Sequence, residues 1–332
     1  MIEVQHLVKE YRHAVKKEGK FASIRSLFHT EYRTKRAVDD ISFSIGEGEL
    51  VGYIGPNGAG KSTSIKMLSG ILVPTAGQVT VAGKVPHRDR KENARQIGVV
   101  FGQKTQLWWD VPVIESLRLL RDIYKVPAAQ YQHNMELFRG LLDLHEFENR
   151  PVRQLSLGQR MRADLAASLL HDPKILFLDE PTIGVDIVAK ARLRDFILEI
   201  NRERKVTVLL TTHDMTDIEK LCSRILIIDK GRILYDGGVE QIRSSLGRHR
   251  TLVVEFEGPV EDFTVPKAEL IRSDGAKKWF RFDRGETTPA ELIPYISSRY
   301  PILDLTVEEP AIEDMVRGIY EHTAAPTGEV PG

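Results

Sequence analysis

Cysteine is almost absent from this chain: Cys222 is the single one in 332 residues. One thiol cannot close an internal disulfide, so the fold must rest on its core, and the composition suits a reducing compartment. Cys222 falls at the end of an amphipathic stretch, Ile218–Arg224, where it reads as a buried residue. Long apolar runs are missing too. None approaches the roughly 18 or more residues that a membrane-spanning helix requires, and the opening residues Met1–Gln5 show neither the basic nor the apolar region of a signal peptide. If the protein works at a membrane, other subunits are expected to cross it. An excess of either charge is also lacking, with 47 Lys plus Arg against 47 Asp plus Glu. That balance gives no support to an acidic tail or to general nucleic-acid binding. The basic residues are unevenly spread, however. Lys9 to Arg36 is rich in them, which reads either as a solvated insertion or as a patch facing anionic lipid or a membrane partner.

What is present is dense with chemistry. Gly55-Pro56-Asn57-Gly58-Ala59-Gly60-Lys61-Ser62-Thr63 fits the phosphate-binding pattern of Gly, four residues, Gly, Lys and Ser or Thr. Leu50–Ile54 before it reads as a short buried strand and Ser62–Leu68 after it as the start of a helix. Phosphates would then rest on a helix N-terminus, where backbone N–H groups have no internal partner and the helix dipole favours negative charge. The glycines let the amides converge, Lys61 brings a flexible point charge, and Ser62 brings a hydroxyl for Mg²⁺. Further on, Ile175–Leu178 is an apolar strand that ends in Asp179 and Glu180. Asp179 can hold the shell of a magnesium ion, and Glu180 can polarise an attacking water.

The rhythm along the chain is that of an α/β core. Strands are expected at Ile2–Leu7, Asp40–Ile45, Val79–Val81 and Ile97–Phe101. Helices at Val113–Tyr124 and Gln132–Leu142 then form a helical insertion spanning about 110–153. From Leu155 onward helices alternate with buried strands at Ile175–Leu178, Val206–Thr211 and Ile225–Asp229, the pattern of a mostly parallel sheet covered by helices. After about Gly247 the pattern becomes that of a small α+β domain, with strands at Thr251–Phe256, Lys278–Phe282 and Ile302–Val307 and helices at Pro289–Arg299 and Ile312–Glu321. Thr323–Gly332 reads as a disordered tail.

Three further elements complete a known order. Leu155-Ser156-Leu157-Gly158-Gln159 precedes a helix, Gln103 follows the strand ending at Phe101, and His213 follows the strand ending at Thr211. With Pro181–Asp186, they make residues 1–240 resemble the nucleotide-binding subunit of an ATP-binding-cassette (ABC) transporter. The resemblance implies a P-loop NTPase core with a mostly parallel sheet, an N-terminal antiparallel sheet region and a helical subdomain. It divides the chain into an ATPase domain over 1–246, with its helical subdomain at 110–153 and a basic insertion at 16–34, a C-terminal accessory domain over 247–322, and a tail over 323–332.

The same resemblance assigns roles. ATP and Mg²⁺ are the implied ligands, with Gly55–Thr63 as phosphate loop, Gln103 as γ-phosphate and magnesium sensor, and Ser156, Gly158 and Gln159 as signature loop. Ser62, Gln103 and Asp179 would serve the metal, Glu180 would be the catalytic base, and His213 the switch histidine. Asp186 would belong to the dimer-contact loop. Two copies of such subunits bind head to tail, so Ser156 and Gly158 of one copy would meet the γ phosphate held by Lys61 of the other. Leu157 departs from the Gly-Gly usual at the middle of the signature; activity is expected to survive it, since Ser156 and Gly158 remain. Tyr11 is the expected aromatic beneath adenine, with Phe28 and Tyr32 as alternatives because the interval before Ala37 is unusually long.

The insertion before Ala37, the signature and the Pro181–Asp186 loop resemble a bacterial exporter branch with separate permease subunits, which places the protein peripherally on the cytoplasmic face of a membrane. Import, and a soluble ATP-gated switch, remain as alternatives. Trp108 and Trp109 either fill an internal helical core or line a groove for a permease helix. The C-terminal domain carries no catalytic cluster and resembles the appended domain of drug-exporter ATPases, with dimer support or regulation as its implied role.

Overall fold

The computed structural model describes residues 1–14, 32–102, 104–246, 249–310 and 312–324. The chain forms two compact units, Met1–Asp236 and Gly237–Gly332, and the helix at 239–246 belongs to the second.

In the first unit, β1 (Ile2–Ala14) and β2 (Tyr32–Ile45) pair antiparallel, from Ile2 opposite Ile45 to Ala14 opposite Tyr32. Both run well beyond the short strands expected. Register shifts between Val4 and Glu10 break the apolar alternation, and charged cross-strand partners such as Glu10 and Arg36 carry the ladder onward, so period-two patterning fades before the pairing does. Of the 16–34 insertion, residues 16–31 lie outside the described part.

The chain continues through β3 (Leu50–Ile54), α1 (Lys61–Leu68), β4 (Ala76–Val81), α2 (Arg90–Gln96) and β5 (Ile97–Phe101). The helices α3 (Val113–Tyr124), α4 (Ala128–Leu141) and α5 (Leu157–Leu169) follow, then β6 (Ile175–Asp179), α6 (Ile187–Arg204), β7 (Thr207–Thr211), α7 (Met215–Leu221), β8 (Arg224–Asp229) and β9 (Arg232–Gly238). The first sheet has the order β2-β1-β4 and is antiparallel. The second has the order β5-β6-β7-β3-β8-β9, with β5-β6-β7-β3-β8 paired parallel.

Burial explains the parallel strands. All five residues of β3 and of β7 are buried, as are Ile175–Leu178 of β6, which is what near-continuous apolar runs provide when both faces of a sheet are covered. Ile65, Met67 and Leu68 of α1 join one core with Val4, Ile41 and Val79 of the antiparallel sheet and Tyr53, Phe177 and Leu209 of the parallel one. The helix that follows the phosphate loop is thereby clamped between two sheets.

The helical subdomain is closed at its neck. Pro112 bridges Pro151, Val152 N–H donates to Val111 O at 3.2 Å, and Arg153 N–H donates to Trp109 O at 3.0 Å. Inside it, Val113, Leu117 and Leu120 of α3 lie on one buried helical stripe, as their spacing predicts.

The second unit contains α8 (Val239–Leu246), β10 (His249–Phe256), β11 (Ala268–Asp274), β12 (Lys277–Asp283), α9 (Pro289–Ser297), β13 (Ile302–Glu308) and α10 (Ile312–Ala324). Its antiparallel sheet has the order β11-β12-β10-β13, and one face, with Leu252, Val254, Phe280 and Phe282, packs on Leu292 and Ile296 of α9.

Candidate nucleotide site

The site forms where parallel strands end. The loop Gly55–Gly60 leaves β3 and delivers Lys61 as the first residue of α1. Gly60 caps the helix with φ +116°, and a Cβ there would stand 2.5 Å from Ala37 O, so glycine is required twice over. Inside the loop Ala59 is buried, and its N–H donates to Pro56 O at 3.1 Å. Lys61 is only 6% exposed and turns back on its own loop, Nζ donating to Gly55 O at 2.5 Å and Pro56 O at 3.2 Å. Burial pushes its ammonium below the usual lysine range, against the pull of Glu180 and Asp179. A desolvated cation held by neutral carbonyls at a helix N-terminus fits a polyphosphate.

Asp179 and Glu180 sit across from this loop. Asp179 is the last residue of β6, and its Oδ1 accepts from the Thr211 hydroxyl at 2.7 Å. Glu180 turns away with φ +55°, and its N–H donates to both Thr211 O, at 3.0 Å, and Thr211 Oγ1, at 3.1 Å. His213 Nδ1 stands 3.5 Å from Glu180 Oε2. A cleft of about 930 Å³ brings Pro56, Asn57 and Ser62 together with Asp179, Glu180 and His213. One hydroxyl and one carboxylate facing the same cleft fit a magnesium ion that completes its shell with phosphate oxygens and water. Among the described residues, no group of three or more His, Cys, Asp or Glu makes a metal site from protein ligands alone. Gln103 lies outside the described residues; its neighbours Gly102 and Lys104 line the cleft.

A second cavity of about 430 Å³ is lined by Tyr11, Lys35 and Ala37 together with Gly58, Lys61 and Thr63. Tyr11, the aromatic expected beneath adenine, lines it. Lys9 Nζ approaches its ring to 5.4 Å. The side chains of Phe28 and Tyr32 are outside the described residues.

Ser156, Gly158 and Gln159 do not line either cavity. They open α5, where Ser156 Oγ accepts from Gln159 N–H at 3.2 Å and Gln159 Oε1 accepts from Ser156 N–H at 3.1 Å, a reciprocal capping box. The Gln159 side chain is thus occupied in shaping the helix start. Leu157 leans on the next loop, its Cδ2 2.8 Å from where a Cβ on Gly184 would stand. Asp186 caps α6 by accepting from Ala189 N–H at 2.9 Å.

Several supporting residues escaped the sequence reading. Thr211 is one, although its place at the end of β7 beside His213 was a usable signal. Asp217 is another, a fully buried carboxylate on α7 that accepts from Thr182 Oγ1 at 2.6 Å, Arg194 Nε at 2.5 Å and Thr212 Oγ1 at 3.4 Å and so links the segment after Glu180 to the residue before His213. Lys35, Lys66 and Lys104 add positive charge to the two cavities. Trp108 and Trp109 are 41% and 49% exposed, which removes them from an internal core, and Arg160 lies over the Trp109 ring at 5.8 Å. No described helix is long and apolar enough to cross a membrane.

The family model "ABC transporter" matches residues 38–183. The chain is 34% identical over 218 residues to "ABC transporter ATP-binding protein NatA" of Bacillus subtilis, covering 66% of this chain and 88% of that protein. It is 36% identical to "Methionine import ATP-binding protein MetN" of Geobacillus kaustophilus, over 61% of this chain and 60% of that one. It is 37% identical to "Probable multidrug ABC transporter ATP-binding protein YbhF" of Escherichia coli, over 63% of this chain but only 36% of the relative. Among solved structures, "Dimeric Structure of MJ0796, a Bacterial ABC Transporter Cassette" matches with a TM-score of 0.60 and 26% identity, over 72% of this chain and 99% of that one. With the phosphate loop, the paired carboxylates and the match to nearly the full length of a relative in agreement, the chain belongs to the ATP-binding proteins of ABC transporters, which hydrolyse ATP.

Proposed function

We propose that this chain is the motor subunit of a transporter whose permeases are separate proteins, and that it works as a head-to-tail pair on the cytoplasmic face of the membrane. The observation that carries the reading is the cleft in which Ser62, Asp179, Glu180 and His213 face one another beside the desolvated Lys61. Lys61 and the amides of Gly55–Thr63 hold the phosphates, and Tyr11 receives the adenine. Ser62 and Asp179, with Gln103, hold Mg²⁺, which when bound neutralises charge on the phosphate oxygens. Glu180 takes the proton of the attacking water, and His213 contacts the γ phosphate and orients Glu180. Ser156 and Gly158 at the start of α5 supply a second helix N-terminus to the nucleotide of the partner copy. The similar MJ0796 cassette is a dimer, which supports this pairing, and ATP-driven closure would pull on permeases docked near Trp108 and Trp109.

For direction, the relative named for methionine import supports import over the export expected from the sequence, because this chain spans 60% of it against 36% of the multidrug relative. The test is purification with its permeases, reconstitution into liposomes, and parallel assay of ATP turnover, inward methionine movement and outward dye movement. ATP-dependent methionine entry carries the import reading, and dye extrusion restores the export one. An assembly that recovers no permease and turns over ATP in solution sinks the motor role.

A further inference from the structure

Asp164 sits two turns inside α5, only 3% exposed, in a place where helix packing alone would be served by an apolar side chain. Its Oδ1 accepts from the Thr105 hydroxyl at 2.8 Å and from Gln106 N–H at 3.1 Å. The tie is returned, since Gln106 Nε2 donates to the backbone carbonyl of Asp164 at 3.0 Å. Thr105 Oγ1 also accepts from Leu107 N–H at 3.1 Å, which holds the turn in shape, and Trp108 N–H donates to the buried Ser116 Oγ of α3 at 3.2 Å. The segment leading from the nucleotide cleft to Trp108 is therefore fastened to α5 at its start and to α3 at its end. Its neighbours Gly102 and Lys104 line that cleft, while the first turn of α5 carries Ser156 and Gly158.

We infer that Asp164 is a positioning residue for ATP hydrolysis: its bonds to Thr105 and Gln106 make the segment beyond Gln103 and the signature helix a single moving part. Resting as it does on the ATPase reading above, this goes further by naming what joins the cleft of one copy to the helix that same copy presents to its partner. When the cleft segment shifts, Ser156 and Gly158 shift with it. Breaking the tie leaves phosphate capture by Lys61 intact and lets the signature helix wander from its productive position, a loss that falls on turnover rather than on binding.

The experiment compares full-length wild type with Asp164→Ala, Asp164→Asn and Thr105→Val in steady-state ATP hydrolysis and equilibrium ATP binding. The amide oxygen of Asn can still accept both bonds. Asp164→Ala is expected to lose about tenfold in kcat with ATP affinity unchanged within about twofold, while Asp164→Asn stays within about threefold of wild type and Thr105→Val falls between. A wild-type kcat in Asp164→Ala overturns the inference, as does equal damage in Ala and Asn, or a loss of ATP binding in step with kcat. Amide hydrogen exchange at Gln106 and Leu107 reads the tie without hydrolysis. Acceleration in Asp164→Ala and Thr105→Val, reversed in Asp164→Asn, supports it, and wild-type protection in all three overturns it. A wild type that exchanges as expected but hydrolyses no ATP counts against the ATPase reading and leaves the tie standing. Should Asp164→Ala fail to fold, Thr105→Val and Asp164→Asn decide both readouts.

Discussion

Thr211 holds Asp179 in place: the hydroxyl of a fully buried threonine at the end of β7 donates to the carboxylate at the end of β6, over 2.7 Å. The same hydroxyl accepts from the N–H of Glu180. One small side chain thus fixes the direction of the proposed metal carboxylate and anchors the backbone of the proposed base. Thr211→Val keeps the shape and removes both bonds. It is expected to lower stability by about 2 kcal/mol, the worth of a hydrogen bond to a charged group, and to lower kcat more than ATP affinity. Urea unfolding and steady-state kinetics on one preparation check it; an unchanged kcat would show that Asp179 and Glu180 keep their places without Thr211.

Glu180→Gln removes the proposed base while preserving the size of the side chain and its place near His213. Hydrolysis should fall by about a hundredfold or more, the range for a lost general base, with ATP still bound. Filter binding and phosphate release separate the two. Normal phosphate release with ATP bound would transfer the base role to another group.

Lys61→Ala acts at the other wall of the site. Losing charge-assisted bonds to phosphate, worth about 1.5–3 kcal/mol, should weaken ATP binding by about 10- to 100-fold. Titration calorimetry with ATP is the direct check. An affinity equal to wild type would mean that the loop amides alone capture the phosphates.

Burial pushes the Asp164 carboxyl up from an ordinary value of 3.8 to about 6, against the opposing pull of its bonds to Thr105 and Gln106 and of the Arg160 charge. The folded chain therefore keeps this proton to a higher pH than the unfolded chain does. The contribution to stability is full below about pH 4 and is lost as pH rises to about 6, after which the ionised group stays buried at a constant cost. Asp164→Asn has no such proton. Its stability relative to wild type should rise by about 2–3 kcal/mol between pH 4 and 7, and a pH-independent difference in urea unfolding would contradict the shift.

Local patterns carried much of this to the sequence reading. Leu50–Ile54, Ile97–Phe101 and Val113–Tyr124 emerge with the expected bounds, because continuous apolar runs and a helical stripe are written in neighbouring residues. β11 escaped because most of its residues are exposed at a sheet edge, and α2 because Asn93 is its one buried residue, so neither carries an apolar period. The site divides the same way. Lys61, Asp179 and Glu180 lie in short motifs, whereas Asp164 meets Thr105 across 59 positions and Thr211 meets Asp179 across 32, pairings that only the folded sheet and helix create.

The Pro112–Pro151 bridge has an evolutionary side. A chain that leaves the sheet and returns to it through one closed neck has its loop-closure cost set at the neck, and that cost grows only slowly with the length enclosed. Residues gained or lost between α3 and the turn before α5 leave the strand order and the phosphate loop untouched. The segment between Pro112 and Pro151 is where this chain can change in length and surface while the sheet and the phosphate loop behind it keep their order.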